Sequence, residues 1–269
     1  MFTRREFVIA SLGSLGAMAV LPSCSTKTGA DSYANVADRT WRHGKFAAGD
    51  QVALLRELVR YATLAPSSHN TQCWKFHIEE AAVSILPDFS RRCPAVDPDD
   101  HHLFVSLGCA TENLIQAAQA IGLKGHASFD AAGGNALRVD LEPASPVAST
   151  LFRVIPERQS TRGEYDGRPV VRQELQLLEK AGTGRGVQVI LLTERQAMEK
   201  VLEYVVQGNT VQMNDPAFMV ELKQWIRFSG DEAVRAGDGL YAASSGNPSL
   251  PSWLGSLLFG LFFTPKNEN

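Results

Sequence analysis

Two short segments carry side chains with the chemistry to hold a ligand. The first is Pro66-Ser67-Ser68-His69-Asn70-Thr71-Gln72-Cys73-Trp74, which gathers hydroxyls, amides and backbone N–H groups into one loop. Such a loop suits the rim of a polar, planar ligand, although Ser, Asn and Thr are also ordinary residues of a helix-to-strand turn. The second is Arg158-Gln159-Ser160-Thr161-Arg162, with two cations four positions apart and a hydroxyl between them. That set can donate charge-assisted hydrogen bonds to a dianionic phosphate. A solvated basic turn is the plainer reading of the same residues.

The elements around these segments follow from periodicity. Leu54, Leu55, Leu58, Tyr61, Ala62 and Ala65 fall at helical intervals. Pro66 ends that helix, because it lacks an amide donor and its predecessor is pushed out of helical dihedrals. Trp74–Glu79 and Ala82–Pro87 read as two short strands joined at Glu79-Glu80-Ala81. The polar run Asp97-Pro98-Asp99-Asp100-His101-His102 precedes a helix from about His102 to Ile121, with aspartates suited to its positive end. Leu103, Leu107, Ala110, Leu114, Ala117, Ala118 and Ile121 give that helix one broad apolar stripe, and Gly122 stops it. Leu137–Glu142 and Val187–Leu192 are further strand candidates. The pattern predicts an α/β (α+β) protein. His101-His102 reads as an exposed helix start rather than a metal site, since adjacent side chains diverge on a helix.

Pro66-Ser67-Ser68-x-Asn70-x-Gln72-x-Trp74 resembles the flavin-contacting loop of the nitroreductase superfamily, where the pattern is P-S-S-x-N-x-Q-P-W. Cys73 stands where that pattern has proline. Arg158-x-Ser160-x-Arg162 resembles the family's R-x-S-x-R/K segment, which holds the FMN phosphate. The resemblance covers about residues 50–265 and implies a nitroreductase-like fold, with a central mixed sheet flanked by helices. It implies FMN as cofactor, with Pro66, Ser67, Ser68, Asn70 and Gln72 along the ring and ribityl side and Arg158, Ser160 and Arg162 on the phosphate. His69 reads as a solvent-facing loop histidine, with contact to the flavin ring as the alternative. Glu112 and Asn113 on the long helix are further candidate neighbours of the flavin.

The order of the two motifs resembles a two-lobed, single-chain branch of the superfamily, the Acg-type FMN-binding proteins. In ordinary nitroreductases the basic segment comes first; here it follows the P-S-S loop by about ninety residues. Residues 46–150 then form a first lobe and 151–269 a second, pseudo-symmetric and incomplete lobe that lacks its own P-S-S loop. One flavin site per chain is expected, and a complete chain would be a pseudo-dimeric monomer. The apolar run from Leu250 to Phe263 has only six residues after it, where the resembling family continues. It is expected to pack.

Thr3-Arg4-Arg5-Glu6-Phe7 leads into a short apolar stretch of small residues, the pattern of an export signal. It resembles a twin-arginine signal over residues 1–24, which implies a periplasmic or cell-envelope location. Leu21-Pro22-Ser23-Cys24 resembles a lipobox, with Cys24 as a candidate lipid anchor to a membrane surface. Residues 25–45 then serve as a linker whose Ser25–Asn35 portion is a flexible tether. A formal charge of −3 without a long basic run argues against nucleic acid as partner. Cysteines 24, 73, 93 and 109 show no C-x-x-C and no metal spacing, and Cys73, Cys93 and Cys109 are candidates for one disulfide.

The resemblance implies an FMN-dependent oxidoreductase passing electrons from a reduced nicotinamide or other donor to nitroaromatics or quinones. The chemistry would belong to the flavin, so no protein side chain is assigned as catalytic. The alternatives are an FMN-holding protein that does not turn over, with Gly237–Ser252 or a Met213–Arg227 helix as a lid, and a lobe without cofactor.

Overall fold

The computed structural model describes residues 24–44, 46, 49–160, 165–184 and 186–264. Residues 1–23 of the signal read over 1–24, and Arg162, lie outside them. Helix α1 spans Cys24–Thr40 and α2 spans Gln51–Thr63. Strands β1 (Trp74–Ile78) and β2 (Ala82–Pro87) follow, then the long helix α3 (His101–Ala120), β3 (Leu123–Asp130) and β4 (Ala136–Pro143). The remainder is mostly helical: α4 (Thr150–Val154), α5 (Arg172–Gly182), α6 (Arg195–Met213) and α7 (Pro216–Trp225). A two-residue strand β5 (Ile226–Arg227), α8 (Gly230–Ala236), β6 (Leu240–Tyr241) and α9 (Ser252–Phe262) complete it.

The expected α/β organisation is present, with a four-stranded sheet flanked by helices. Its strands run β1-β2-β4-β3 and pair antiparallel, while β5 and β6 form a separate parallel pair. Helix α2 starts at Asp50, whose carboxylate accepts from the Ala53 amide at 2.9 Å. Its Leu55, Leu58, Tyr61 and Ala62 are buried against α3, which turns Leu103, Leu107, Ala110, Leu114, Ala117 and Ala118 inward. Val83, Ile85 and Val139 close this core from the sheet. Gly125 lets α3 approach β3, since a Cβ there would lie 3.0 Å from Ile115 and Val139 side-chain atoms. A polar chain fastens the edge of the core. The Arg153 carbonyl can only accept from His43 Nε2 (3.0 Å), so Nε2 carries the proton and His43 Nδ1 accepts from the Tyr61 hydroxyl (3.2 Å). The Tyr61 oxygen in turn accepts from the Gly44 amide at 2.9 Å.

The structure departs from the sequence reading in several places. Ser25–Asn35 lies within α1 rather than forming a tether, because that helix packs against α8. Tyr33 sets its ring 4.5 Å from that of Tyr241. Val187–Leu192 is not a strand; Val187 makes an isolated bridge to Gly184, and Ile190 is 77% exposed with no sheet edge beside it. β3 was not anticipated: its Lys124, Gly125, His126 and Ser128 give an edge strand with little apolar alternation. Cys73, Cys93 and Cys109 are free thiols, the first two buried on separate elements of the core. The apolar C-terminal run forms α9, which packs Gly255 and Phe259 against Phe228 and leaves Trp253, Leu257 and Leu261 exposed. No described helix is long and apolar enough to cross a membrane.

Leu107 is fully buried at the meeting point of α2, α3 and the sheet. Leu107→Ala is therefore expected to cost about 3 kcal/mol, read as a lower urea midpoint with an unchanged slope.

Candidate functional site

Pro66 ends the approach of α2, and the loop that follows bends sharply. Ser68–Asn70 forms one 3-10 turn, and His69, Asn70 and Gln72 hold φ values of +48°, +53° and +52°. Left-handed backbone is common only for glycine and, less so, Asn, Asp and His. Three such residues within four positions cost free energy that the surroundings must offset. Cys73 is part of the explanation. A proline there would push residue 72 toward extended backbone, whereas Cys73 permits the bend at Gln72.

Hydrogen bonds hold the loop from within and from outside. Ser67 Oγ accepts from the Gln72 amide at 3.0 Å, and the Ser67 and Ser68 carbonyls accept from the Asn70 and Thr71 amides, each at 2.9 Å. The outside partner is the segment Gly237-Asp238-Gly239, which begins the stretch read as a lid. The Asn70 carbonyl accepts from the Gly239 amide, and Asn70 Nδ2 donates to the Gly239 carbonyl, each at 3.0 Å. Gln72 Nε2 donates to the Gly237 carbonyl at 2.6 Å. Gly239 has φ +79°, and a Cβ there would fall 2.5 Å from the Trp225 carbonyl oxygen.

Asp238 fixes this clasp. One carboxylate oxygen accepts from Arg91 Nη1 at 2.7 Å and the other from Arg227 Nη2 at 2.6 Å. The same Arg91 nitrogen donates to the Thr71 carbonyl at 2.8 Å. Burial pushes the Asp238 carboxyl up, but hydrogen bonds from Arg227 and Arg91 outweigh it and hold the group below the usual carboxylate value.

The basic segment reaches the other end of the loop. Arg158 Nη2 donates to the Leu64 carbonyl at 3.1 Å, two residues before Pro66, and its guanidinium lies 5.2 Å from the Trp41 ring centre. Burial draws its pKa down, with the Cys109 thiol acting the other way. Among the described residues no carboxylate pairs with Arg158. Arg158 therefore lies at the end of α2, just before the Pro66–Trp74 segment begins.

The remaining candidates are placed unevenly. Pro66 is exposed, Ser67 and Ser68 are half-buried, and Ser160 is exposed beyond Arg158. The Ser68 hydroxyl and the Gln72 Oε1 have no hydrogen-bond partner among the described residues. Asn70 Nδ2 and Gln72 Nε2 are engaged in the clasp. Asn113 Nδ2 donates to the Tyr61 carbonyl, and Glu112 accepts from Gln116, so both serve the α3 neighbourhood. His69 is half-buried rather than solvent-facing, with its ring beside Cys93 and Glu221. Asp238, Arg91 and Arg227 were not anticipated, because their role arises from residues far apart in sequence. The Arg158 guanidinium and the open Ser68 hydroxyl as donors, with the Asn70 and Gln72 amide oxygens as acceptors, are groups that would fit the phosphate and polar edge of a flavin mononucleotide.

No family model matches the chain. Over 204 residues it is 24% identical to each of two curated proteins of Mycobacterium tuberculosis, from strains CDC 1551 / Oshkosh and ATCC 25618 / H37Rv. Both carry the name "Putative NAD(P)H nitroreductase". The similarity is to proteins that carry this name, and it is distant. The alignment takes in 73% of this chain and 57% of each relative, so the chain spans little more than half their length.

Asp238→Asn removes the shared acceptor of Arg91 and Arg227 and is expected to destabilise by about 2 kcal/mol, below the usual cost for a fully buried pair because Arg91 is partly exposed. Amide hydrogen exchange across 66–72 should speed up in that variant. The carboxyl is depressed in the folded state, so its contribution is complete at neutral pH. It is lost as pH falls from about 4, the ordinary aspartate value, through the lower folded value. Urea unfolding of wild type and Asp238→Asn should therefore converge at low pH.

Proposed function

We propose that the chain is an FMN-dependent oxidoreductase of nitroreductase type. The observation that carries this reading is the bond from Arg158 to the Leu64 carbonyl, which sets a cation two residues before the start of the Pro66–Gln72 loop. The distant similarity to proteins named as nitroreductases supports it independently. Arg158, Ser160 and Arg162 would hold the phosphate, while Pro66, Ser67, Ser68, Asn70 and Gln72 would border the ring and ribityl chain. Bound FMN would supply two-electron transfer from a reduced nicotinamide or other donor to a nitroaromatic or quinone. The protein's part is to bind, orient and shield. Arg158 provides a cation with no carboxylate partner among the described residues, and the clasp ties Asn70 and Gln72 to Gly237 and Gly239.

Further parts of the proposal rest on sequence. Residues 46–150 and 151–269 would be the two lobes of an Acg-type single chain with one flavin site. Export through the twin-arginine route follows from Arg4-Arg5-Glu6-Phe7, with Cys24 as the candidate lipid anchor and the periplasm or cell envelope as the location.

A second reading has one observation in its favour. The clasp of Gly237–Gly239 on Asn70 and Gln72 is what a closed cover over a held flavin would need, which suits a protein that stores FMN without turnover.

The visible spectrum of the desalted protein tests the site first. The expected result is a flavin spectrum, with FMN released on denaturation, and loss of flavin retention by at least about a hundredfold in the Arg158→Ala, Arg162→Ala double variant. A colourless protein that takes up no added FMN sinks the reading. Rapid anaerobic bleaching by NADPH is expected of the enzyme; a flavin that stays oxidised assigns the protein to the storage class.

A further inference from the structure

His69, Cys93 and Glu221 come together from three separate elements: the strained loop, the turn after β2, and helix α7. One ligand-type atom from each, a ring nitrogen, the thiol sulfur and a carboxylate oxygen, lies within 4.8 Å of the other two. Cys93 is 4% exposed and Glu221 8%, while His69 is half-buried. We propose that these three residues form a binding site for a zinc-class divalent cation.

The surroundings fix each ligand before any ion arrives. The Cys93 carbonyl accepts from the Val96 and Asp97 amides at 3.1 and 2.7 Å, a tight turn that sets the direction of its thiol. The two Glu221 oxygens accept from the Ala95 and Val96 amides at 2.9 and 3.2 Å, so the carboxylate is held against that same turn. A carboxylate has about four lone-pair sites, and two amides leave room for a metal. His69 reaches the cluster because its backbone is left-handed at φ +48°. In a tetrahedral zinc site, bonds of about 2.0 to 2.3 Å put ligand atoms roughly 3.3 to 3.8 Å apart. With the ligand atoms already within 4.8 Å of one another, the cluster has to close by at most about 1.5 Å, within the reach of small side-chain rotations.

Charge favours the same occupant. A neutral imidazole, a thiolate and a carboxylate together balance a dication, which suits a site removed from water. Binding would release the Cys93 thiol proton to solvent as the sulfur–metal bond forms. Three protein ligands leave a fourth position for water or a substrate oxygen. The ion would also brace the loop, tying its strained centre to α7 independently of the Asp238 clasp.

The test uses tag-free full chain, with and without added FMN, so the outcome does not depend on the flavin reading. Zinc stoichiometry after dialysis is expected to be one per chain, and cobalt(II) should give a near-ultraviolet thiolate-to-metal charge-transfer band. Cys93→Ser should abolish that band. His69→Asn should weaken zinc binding by about a hundredfold, and asparagine tolerates the left-handed backbone, so this variant should keep the wild-type circular dichroism. Absence of zinc binding by the folded wild type overturns the proposal. So does binding that is unchanged in both variants, which would assign the ion to surface histidines.

Discussion

The Asp238 carboxylate is the interaction on which the arrangement of the candidate site depends. It lies between Arg91, which follows β2 of the main sheet, and Arg227, which lies in β5 among the C-terminal helices. Burying a carboxylate is costly, and here two cations offset the cost by taking one oxygen each. Because Asp238 is flanked by Gly237 and Gly239, fixing it also fixes two carbonyls and an amide that engage Asn70 and Gln72. Those bonds offset a loop with three left-handed residues. Gly239 is required on geometric grounds, since any side chain there would meet the Trp225 carbonyl. The site loop is thus shaped by a segment about 170 residues away in the chain.

What the sequence made legible is what local physics controls. The spacing of Leu55, Leu58, Tyr61 and Ala62, the stop at Pro66, the strand pair Trp74–Ile78 and Ala82–Pro87, and the stripe along His101–Ala120 all follow from periodicity and turn chemistry. Elements whose reason is tertiary were read poorly. α1 looks like a tether because its Thr-, Gly- and Ser-containing sequence has weak helix propensity, and packing against α8 overrides that. Val187–Leu192 has strand-forming residues, but a strand also needs a free edge beside it, and no sequence pattern reports that. β3 is the converse case: its residues say little, and pairing along the whole of β4 makes it a strand.

The site divides along the same line. Ser67, Ser68, Asn70 and Gln72 are adjacent in the chain, so their common loop could be read directly. Arg158 could be read as a cation, but its place at the Leu64 carbonyl could not. Asp238, Cys93 and Glu221 stand in unremarkable contexts and acquire roles only through contacts between distant segments. Cysteine spacing rules look for ligands close in sequence, so a cluster drawn from a loop, a turn and a helix escapes them.

The arginines around the loop show how folding assigns different tasks to one residue type. Arg91 and Arg227 are neutralised by Asp238, and they also donate to the Thr71 and Gln224 carbonyls respectively. They are structural cations, with little field left to attract an anion. Arg158 is held instead by a carbonyl and an aromatic face, neither of which cancels its charge. A guanidinium with no carboxylate partner among the described residues keeps donors free for an incoming phosphate. In a chain of net charge −3, anions are not drawn to the surface at large, so their destination depends on such local exceptions. The Leu64 carbonyl that orients Arg158 also ends α2, where the negative end of the helix dipole further favours a cation. One helix terminus therefore sets both the start of the loop and the position of the charge beside it.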